Sequence, residues 1–326
     1  MARVHILLAT YNGEKYLCEQ IDSILNQTYR DWALYISDDG SRDDTLTIIE
    51  RYISENPDRI FRLEAGERLG GATKNFSFLF SACPQAEFYM FCDQDDVWLE
   101  TKIEHMVDVM EEKPAAEPAL VYCDLAVVDQ DLRHVADSFF SYQGLDKHKK
   151  DKKTILYKNY IPGCVMMYND ALRRIVTNIP REAVVHDWWL ALVATHFGRV
   201  EFTNQRGNLY RQHDANGVGA EQAVGTGTEV KRVFRGAVSH PFSRVKTIVD
   251  RMDHNLCEAV IQSRAFYRRY GRRMEGRDEK YTKRFFTMRD NRGRLGHAIF
   301  FARNYRGIGL GPVRYTASIL ALLRKK

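Results

Sequence analysis

The chain has 326 residues, of which 44% are hydrophobic and 12% aromatic, so it can fill the core of one large domain or of a domain with an appendage. Its six cysteines are scattered without a C-x-x-C pair, which argues against a zinc site or a disulfide framework and predicts reduced thiols. The first apolar run is too short for a signal peptide, and no segment approaches the roughly 20 apolar residues of a membrane-spanning helix. We therefore expect a cytoplasmic protein.

The charge is distributed unevenly along the chain. The net charge is +5, but residues 230–326 carry 24 Lys and Arg against 7 Asp and Glu, a net charge of +17. Residues 1–229 carry 24 Lys and Arg against 36 Asp and Glu, a net charge of −12. The two regions are therefore expected to have different partners.

The first third of the chain alternates short apolar runs with segments of helical spacing. The apolar runs predict strands at residues 4–9, 32–37, 59–64 and 88–92. The intervening segments predict helices at residues 16–27, 44–54, 73–82 and 100–112. This alternation is typical of an α/β fold with a Rossmann-like, mostly parallel twisted sheet flanked by helices.

Beyond residue 113 the pattern is looser. It predicts strands at residues 119–128, 159–168 and 199–202 and helices at residues 170–177 and 187–197, followed by a polar segment at residues 209–219. Residues 220–228 contain two glycines and predict a flexible linker. Helical patterns then dominate, at residues 245–270 and 295–305.

Polar clusters follow three of the predicted strands. They are Thr10–Asn12, Asp38–Asp39 and Asp93–Asp96. Ligands of open α/β sheets bind beyond the carboxyl ends of the strands, so these clusters should converge on one crevice. For the first two, an ordinary turn followed by a helix cap is the alternative.

Three carboxylates within four residues, Asp93, Asp95 and Asp96, end the strand at residues 88–92. Carboxylates this close repel one another unless a cation neutralises them. Mg²⁺ or Mn²⁺ takes one or two protein carboxylates together with phosphate oxygens, so a diphosphate is the natural second partner. The alternative is a solvated acidic turn in which Asp96 caps the next helix.

The order of these segments resembles glycosyltransferase family 2, which has the GT-A fold. The resemblance is carried by LLATYNGEKYLCEQIDSILNQTYRDWALYISDDGSRDDT, GGATKNF, FCDQDDVW, HDWWLALVA and YRQHDANGVG. It implies a catalytic domain at residues 1–219, the linker at residues 220–228 and a basic helical C-terminal region at residues 229–326. The DQDDVW and YRQH segments are most similar to bacterial rhamnosyltransferases that use dTDP-L-rhamnose.

The resemblance assigns residues to a nucleotide-sugar site. Thr10 and Asn12 would line the nucleotide pocket, and Asp38 or Asp39 would contact the base or the sugar. The remaining contacts to the donor would come from Lys74, Asp93 and Arg211. The family usually has Arg where this chain has Lys74, although Lys still supplies a positive charge.

The same resemblance implies a metal site. Asp93 and Asp95 match the D-x-D motif, in which Mn²⁺ or Mg²⁺ bridges the protein to the donor diphosphate, and Asp96 would support them. His213 matches a position that closes over the diphosphate and can bind the metal. An isolated surface histidine is the alternative for His213.

A catalytic base is implied at Asp187, which would take the proton of the acceptor hydroxyl and give inversion at the anomeric carbon. A simple helix cap is the alternative. His186 stands where the family commonly has an acidic residue. Acceptor contacts are expected from Gly163 and His186 and from one of Trp188 and Trp189, the other packing in the core.

The C-terminal region resembles no family that we can name. Its Arg-rich helices could lie on an anionic membrane, which would make the protein peripheral on the inner face of the cytoplasmic membrane, or they could pack on the catalytic domain. The expected partners are the nucleotide-sugar donor and a glycan or lipid-linked glycan acceptor, with no nucleic acid. The alternatives are a UDP-hexose or UDP-N-acetylhexosamine donor, a nucleotidyltransferase, and a non-enzymatic binding protein.

Overall fold

The computed structural model describes residues 2–148, 151–213, 241–290, 294–305 and 312–323. The chain divides into two compact units, and the second takes in two short internal segments at residues 144–159 and 182–184 in addition to the C-terminal residues from 222 onward. The sequence analysis assigned both internal segments to the catalytic domain. The predicted linker at residues 220–228 lies outside the described residues, and the boundary at residue 219 stays a prediction.

The first unit contains a sheet of nine strands within the described residues. In chain order they are β1 (Val4–Thr10), β2 (Trp32–Asp38), β3 (Ile60–Arg62), β4 (Phe88–Cys92), β5 (Val97–Trp98), β6 (Ala119–Val128), β7 (His134–Ala136), β8 (Met166–Asn169) and β9 (Arg199–Arg211). Their spatial order is β3-β2-β1-β4-β8-β6-β9-β5, and β7 pairs with β6.

The sheet is parallel on one side and mixed on the other. Strands β3, β2, β1 and β4 are parallel, whereas β8 runs antiparallel to both of its neighbours, β4 and β6. Strands β6 and β9 are parallel again, and β5 lies antiparallel to β9. The predicted α/β class with a mostly parallel sheet is confirmed.

The helices of the described residues belong to both units. In chain order they are α1 (Leu17–Leu25), α2 (Thr45–Glu55), α3 (Ala72–Ala82), α4 (Lys102–Glu111), α5 (Phe139–Tyr142), α6 (Thr154–Tyr157), α7 (Asp170–Val176), α8 (His186–Phe197), α9 (Pro241–Tyr270), α10 (Gly276–Phe286), α11 (Arg294–Asn304) and α12 (Pro312–Leu323). Helices α6 and α9 to α12 lie in the second unit.

The core of the first unit explains the apolar runs in the sequence. Every residue of β1, β4 and β6 is buried. Helix α3 packs against β1 and β2, and α4 packs against β6 and β9. Strands buried in this way lose the alternation of polar and apolar residues that marks a half-exposed strand. Short continuous apolar runs were therefore the useful signal.

Strand β9 differs from the sequence prediction, which ended it at residue 202. It continues to Arg211 because it pairs in parallel with the whole of β6, with an irregularity at Asp124. The first three residues of the polar segment expected at residues 209–219 are therefore strand. The short strands β5 and β7 and helices α5, α6 and α10 were not predicted, since pairing or packing with distant residues stabilises elements too short or too charged to show a periodic pattern.

The second unit is helical, as predicted for the basic C-terminal region. On α9, Val249 and Met252 are buried against Ala317 and Ala321 of α12. The hydroxyl groups of Tyr157 and Ser318 lie 3.0 Å apart and tie α6 to α12. Searched through its described residues, the structure contains no helix whose length and apolar character would let it cross a bilayer.

The side chain of Asn169 joins the end of β8 to the start of β6 and to α7, so its substitution tests these contacts. It is 4% exposed; its Oδ1 accepts hydrogen bonds from the N–H groups of Ala119 (3.0 Å) and Leu172 (3.0 Å), and its Nδ2 donates to the carbonyl of Glu117 (2.7 Å). N169A should lower the free energy of unfolding by about 2 to 4 kcal/mol, because buried groups lose their partners and α7 loses its cap. Urea unfolding measures this loss.

The matched control is N26A, since the side chain of Asn26 is exposed and makes no hydrogen bond within the described residues. Its free energy of unfolding should change by about 0.5 kcal/mol or less. Equal losses in N169A and N26A would contradict the bridging role of Asn169.

Candidate active site

The carboxyl ends of β2, β1 and β4 lie side by side. Strand β1 is central, with Thr10 in register with Asp38 of β2 and Leu8 in register with Cys92 of β4. The turns that follow these strands are consequently neighbours. The structure thus brings together the three polar clusters that the sequence analysis expected to converge.

Side chains lock these turns to one another. The hydroxyl of Thr10 donates to Asp38 Oδ1 at 2.9 Å, and Asn12, whose φ is +48°, accepts from the N–H of Arg42 at 2.9 Å. Gln94, which sequence reasoning did not single out, accepts from the N–H of Tyr11 (2.8 Å) and donates to its carbonyl (3.1 Å). Direct hydrogen bonds therefore fix these turns relative to one another.

The Asp38–Asp39 pair anchors the backbone around it. Buried Asp39 accepts hydrogen bonds from the N–H groups of Leu69 (2.6 Å), Gly70 (2.9 Å) and Gly71 (2.7 Å). Asp38 likewise accepts from the backbone N–H groups of the turn that follows it. Both carboxylates thus stabilise the local backbone, and their contacts to a nucleobase or a sugar stay predictions.

Lys74 lies on the first turn of α3, directly after the loop that Asp39 anchors. Its side chain is exposed and makes no ion pair within the described part of the chain. An ammonium group placed in this way is available to an anionic ligand. The predicted contact with the nucleotide is compatible with this position.

The acidic loop Asp93–Asp96 is the most charged part of the site. Ligand atoms of Asp93, Asp96 and Cys164 lie within 4.8 Å of one another. Among the described residues, the Asp93 carboxylate accepts no hydrogen bond, whereas fully buried Asp96 accepts from Asn208 Nδ2 (3.1 Å) and from the N–H of Arg211 (3.2 Å). Asp93 is therefore the carboxylate with free acceptor capacity.

Burial and mutual repulsion act on the protonation of this loop. Burial, reinforced by the charge of Asp95, raises the pKa of Asp96 to about 7. The pKa of Asp93 is raised well above its ordinary value by burial and then by Asp95 and Asp96. Burial also raises the pKa of the Cys164 thiol, so Cys164 stays protonated and is a poor ligand.

His213 lies against the acidic loop. Its Nε2 is 2.8 Å from Asp95 Oδ2, and its ring packs on Tyr16 with the centroids 4.9 Å apart. His213 thus contacts Asp95, whereas the described ligand atoms that lie within 4.8 Å of one another belong to Asp93, Asp96 and Cys164, so the set of Asp93, Asp95 and His213 stays a prediction. Carboxylate and imidazole groups are donors that Mn²⁺ accepts, and the carboxylates also suit Mg²⁺, so this donor set fits such a cation.

Arg211 has a different place from the one expected. Its side chain is 2% exposed, and its guanidinium donates to the carbonyls of Asp95 (2.9 Å) and Gln130 (2.8 Å) and pairs with Glu19. It also lies over the Tyr16 ring, 4.4 Å from the centroid. Arg211 therefore braces the acidic loop, and these protein acceptors occupy the fork that was predicted to bind phosphate.

Asp187 is the second residue of α8 and faces the turn at Gly163. Its Oδ2 accepts from the N–H of Gly163 at 2.9 Å, and its Oδ1 accepts from the N–H of Trp188 at 2.6 Å. Burial raises the pKa of Asp187 to about 6, while these hydrogen bonds oppose the shift. A carboxylate with this pKa is charged at neutral pH and can still accept a proton.

His186 is buried beside this carboxylate. Its ring stacks on Phe76 (centroids 3.9 Å apart) and meets the edge of Phe91 (4.6 Å), and neither ring nitrogen has a hydrogen-bond partner in the described structure. Burial lowers the pKa of His186 to about 3, so the imidazole is neutral. A Cβ at Gly163 would lie 2.9 Å from His186 Nε2, which explains the glycine.

The two tryptophans of α8 lie in the core. Trp189 has no exposed surface and Trp188 is 8% exposed. Trp189 therefore has a packing role, as expected for one of the pair. Stacking of Trp188 on a sugar stays a prediction, with little surface to support it.

The family model described as "Glycosyl transferase family 2" matches residues 5–176, and the chain belongs to that family. Membership argues against the nucleotidyltransferase and the non-enzymatic alternatives.

Two relatives are similar in sequence to this chain. The dTDP-rhamnosyl transferase RfbG of Shigella flexneri is 29% identical over 225 residues, which cover 65% of this chain and 74% of the relative. The UDP-Glc:alpha-D-GlcNAc-diphosphoundecaprenol beta-1,3-glucosyltransferase WfgD of Escherichia coli is 30% identical over 107 residues, or 33% and 40% of the two chains.

Residues 1–349 of S. aureus TarS, solved in complex with UDP-GlcNAc, superpose with a TM-score of 0.57 at 14% identity, covering 98% of this chain and 89% of that chain. Identity this low supports the fold alone. The GT-A fold expected from the sequence is thereby confirmed.

Proposed function

We propose that this chain is an inverting glycosyltransferase that moves L-rhamnose from dTDP-L-rhamnose onto a lipid-linked or growing cell-surface polysaccharide. The observation that carries the proposal is the pairing of two features in one unit. Burial raises the pKa of Asp187 to about 6, and its charge acts on Asp93 of the acidic loop, whose carboxylate accepts no hydrogen bond among the described residues. The rhamnosyl donor is supported by the likeness to the Shigella flexneri enzyme.

The donor would lie across the ends of β1, β2 and β4. The loops that Asp38 and Asp39 anchor would hold the nucleoside, with Thr10 and Asn12 forming the adjacent wall. Lys74 would face the diphosphate, because its ammonium is exposed at the start of α3. The interlocked turns favour this arrangement, since a fixed pocket loses little entropy on binding.

A divalent cation, Mn²⁺ or Mg²⁺, would be held by Asp93 and Asp95 with His213. When bound, it neutralises the negative charge that develops on the departing diphosphate. Arg211 keeps Asp95 in place through the hydrogen bond to its carbonyl. The protein's own contribution is thus a rigid acidic loop with a free carboxylate.

Asp187 would be the general base. Its carboxylate takes the proton of the acceptor hydroxyl while that oxygen forms a bond to the anomeric carbon and the bond from this carbon to the diphosphate breaks. Attack opposite the leaving group inverts the configuration. The N–H groups of Gly163 and Trp188 hold the carboxylate in one orientation.

A UDP-hexose or UDP-N-acetylhexosamine donor is the second candidate. It is favoured by the likeness to the Escherichia coli glucosyltransferase. Both candidates use the same acidic loop and the same base. They differ in the nucleobase and in the sugar hydroxyls, which contact other parts of the pocket.

The donor is tested by isothermal calorimetry with dTDP-L-rhamnose, UDP-glucose and UDP-N-acetylglucosamine, each with Mn²⁺ and with chelator. We expect binding of dTDP-L-rhamnose that depends on Mn²⁺ and is lost in D93N, with D58N, an exposed aspartate, as the unaffected control. Preference for a UDP-sugar would replace the rhamnosyl donor. Binding that is equal in chelator would refute the metal role of Asp93.

The base is tested by the pH dependence of donor turnover. Because the deprotonated carboxylate of Asp187 is the active form, kcat/KM should rise with pH and level off at pH values above the Asp187 pKa of about 6. D187N should bind the donor normally and lose about 10² to 10⁴ in turnover. D108N, on the exposed face of α4, is the control. Unchanged turnover in D187N would remove Asp187 as the base.

The second unit is proposed to lie on the cytoplasmic membrane surface. Helices α11 and α12 expose four large apolar side chains among basic residues, namely Leu295, Ile299, Leu320 and Leu323. Residues 230–326 carry a net charge of +17. Apolar side chains with a cationic surround favour contact with anionic lipid, where a lipid-linked acceptor would be found.

Vesicle flotation tests this surface. The protein should float with vesicles containing anionic lipid and not with neutral ones, and the double variant L295E/L320E should lose most of this binding. V135E, at an equally exposed apolar residue of β7 in the first unit, should float as the unaltered protein does. Retention of binding by the double variant would contradict the proposed contact.

A further inference from the structure

Lys102 is a buried lysine beneath the acidic loop that the mechanism above leaves without a role. It is the first residue of α4 and is 1% exposed. Its Nζ donates to the carbonyl of Cys164 at 2.6 Å and lies 3.5 Å from the centroid of the Trp98 ring. Both partners are neutral, so neither cancels its charge.

No carboxylate oxygen of the described residues lies within 4.0 Å of this ammonium. A buried cation without a direct ion pair is costly unless charges slightly further away compensate it. Burial lowers the pKa of Lys102, and the nearby thiols and Asp96 oppose that shift. In return, the charge of Lys102 lowers the pKa of both Asp93 and Asp96.

A short chain of hydrogen bonds connects this cation to the acidic loop. The carbonyl of Cys164, which accepts from Lys102, also accepts from Asn208 Nδ2 at 3.3 Å. The same Nδ2 donates to Asp96 Oδ2 at 3.1 Å. One carbonyl and one amide therefore separate the ammonium from a carboxylate of the loop.

The slot for this lysine is built into β9. A Cβ at Gly207 would lie 3.2 Å from Lys102 Cγ and 2.5 Å from the sulfur of Cys123. Glycine at this position leaves the room through which the lysine stem passes. The space at Gly207 and the carbonyl of Cys164 thus define where the buried ammonium lies.

We propose that Lys102 is the internal counter-cation of the acidic loop and that it weakens binding of a divalent cation on its own, so that the cation binds together with the nucleotide diphosphate. The inference rests on the proposed function for its metal and its donor. A fixed positive charge behind the carboxylates repels an incoming cation, and the negative charge of a diphosphate offsets that repulsion. Lys102 is a positioning residue, since it touches neither ligand.

Calorimetry with Mn²⁺ alone, and with Mn²⁺ after saturation with dTDP, tests the proposal in four variants. K102M removes the charge and the donor, K102Q removes the charge and keeps a donor for the Cys164 carbonyl, and K102R keeps the charge. K280M, at an exposed lysine of α10, is the matched control. Removing one charge of a mutually compensating buried set destabilises a protein, so K102Q, which keeps a hydrogen-bond donor, is compared with K102M.

We expect K102M and K102Q to bind Mn²⁺ alone on the order of tenfold more tightly than the unaltered protein, and dTDP to improve their Mn²⁺ affinity correspondingly less. K102R and K280M should match the unaltered protein within about twofold. Unchanged or weaker Mn²⁺ binding in K102Q would overturn the counter-cation role. A change in K102M alone would assign the effect to the hydrogen bond.

A second measurement separates this inference from the proposed function. If neither the unaltered protein nor any variant binds Mn²⁺, with or without nucleotide, the metal part of the proposed function fails. Thermal unfolding in chelator then decides the role of Lys102. Melting temperatures of K102M and K102Q below that of K280M would support compensation of the acidic loop in the metal-free protein. Equal melting temperatures would overturn it.

Discussion

The site depends on the concentration of negative charge where β4 ends. Three aspartates follow one buried strand, and burial raises the pKa of Asp93 and Asp96 because a low-dielectric surround disfavours their charged forms. Such a cluster is tolerated only if cations or hydrogen-bond donors surround it. Asn208, the N–H of Arg211 and His213 meet this need on the side of β9. The length of β9 is therefore tied to the charge of the acidic loop.

A second consequence concerns rigidity. The turns after β1, β2 and β4 are joined by side-chain hydrogen bonds, such as those of Thr10 with Asp38 and of Gln94 with Tyr11. Asp39 holds the loop before α3 by accepting three backbone N–H groups. Several of these contacts use side chains that the sequence analysis assigned to the ligand, namely Thr10, Asp38 and Asp39. A family motif residue can accordingly shape a pocket by holding its backbone, whether or not it also touches the bound molecule.

The sequence predicted what depends on local pattern. Strands β1, β2 and β4 and helices α3 and α8 were placed within two residues, because buried parallel strands leave short continuous apolar runs and these helices leave longer apolar segments. It also named Asp93, Asp187 and His213 through motifs. It could not assign Arg211 or Lys102 their structural partners. Those partners lie 116 and 62 residues away in the chain, and their choice depends on strand order and on space such as that at Gly207.

Asp187 and the acidic loop carry carboxylates that repel one another when both are charged, and the surrounding contacts reduce that repulsion. The negative charge of Asp187 contributes to raising the pKa of Asp93, so the two carboxylates interact electrostatically. At position 186, an acidic residue would add a further charge against Phe76 and Phe91, whereas the neutral imidazole adds none. The N–H of Gly163 stabilises the charged form of Asp187 by donating a hydrogen bond to it. The carbonyl of the next residue, Cys164, accepts a hydrogen bond from Lys102 Nζ. The turn at Gly163 and Cys164 thus contacts both Asp187 and Lys102.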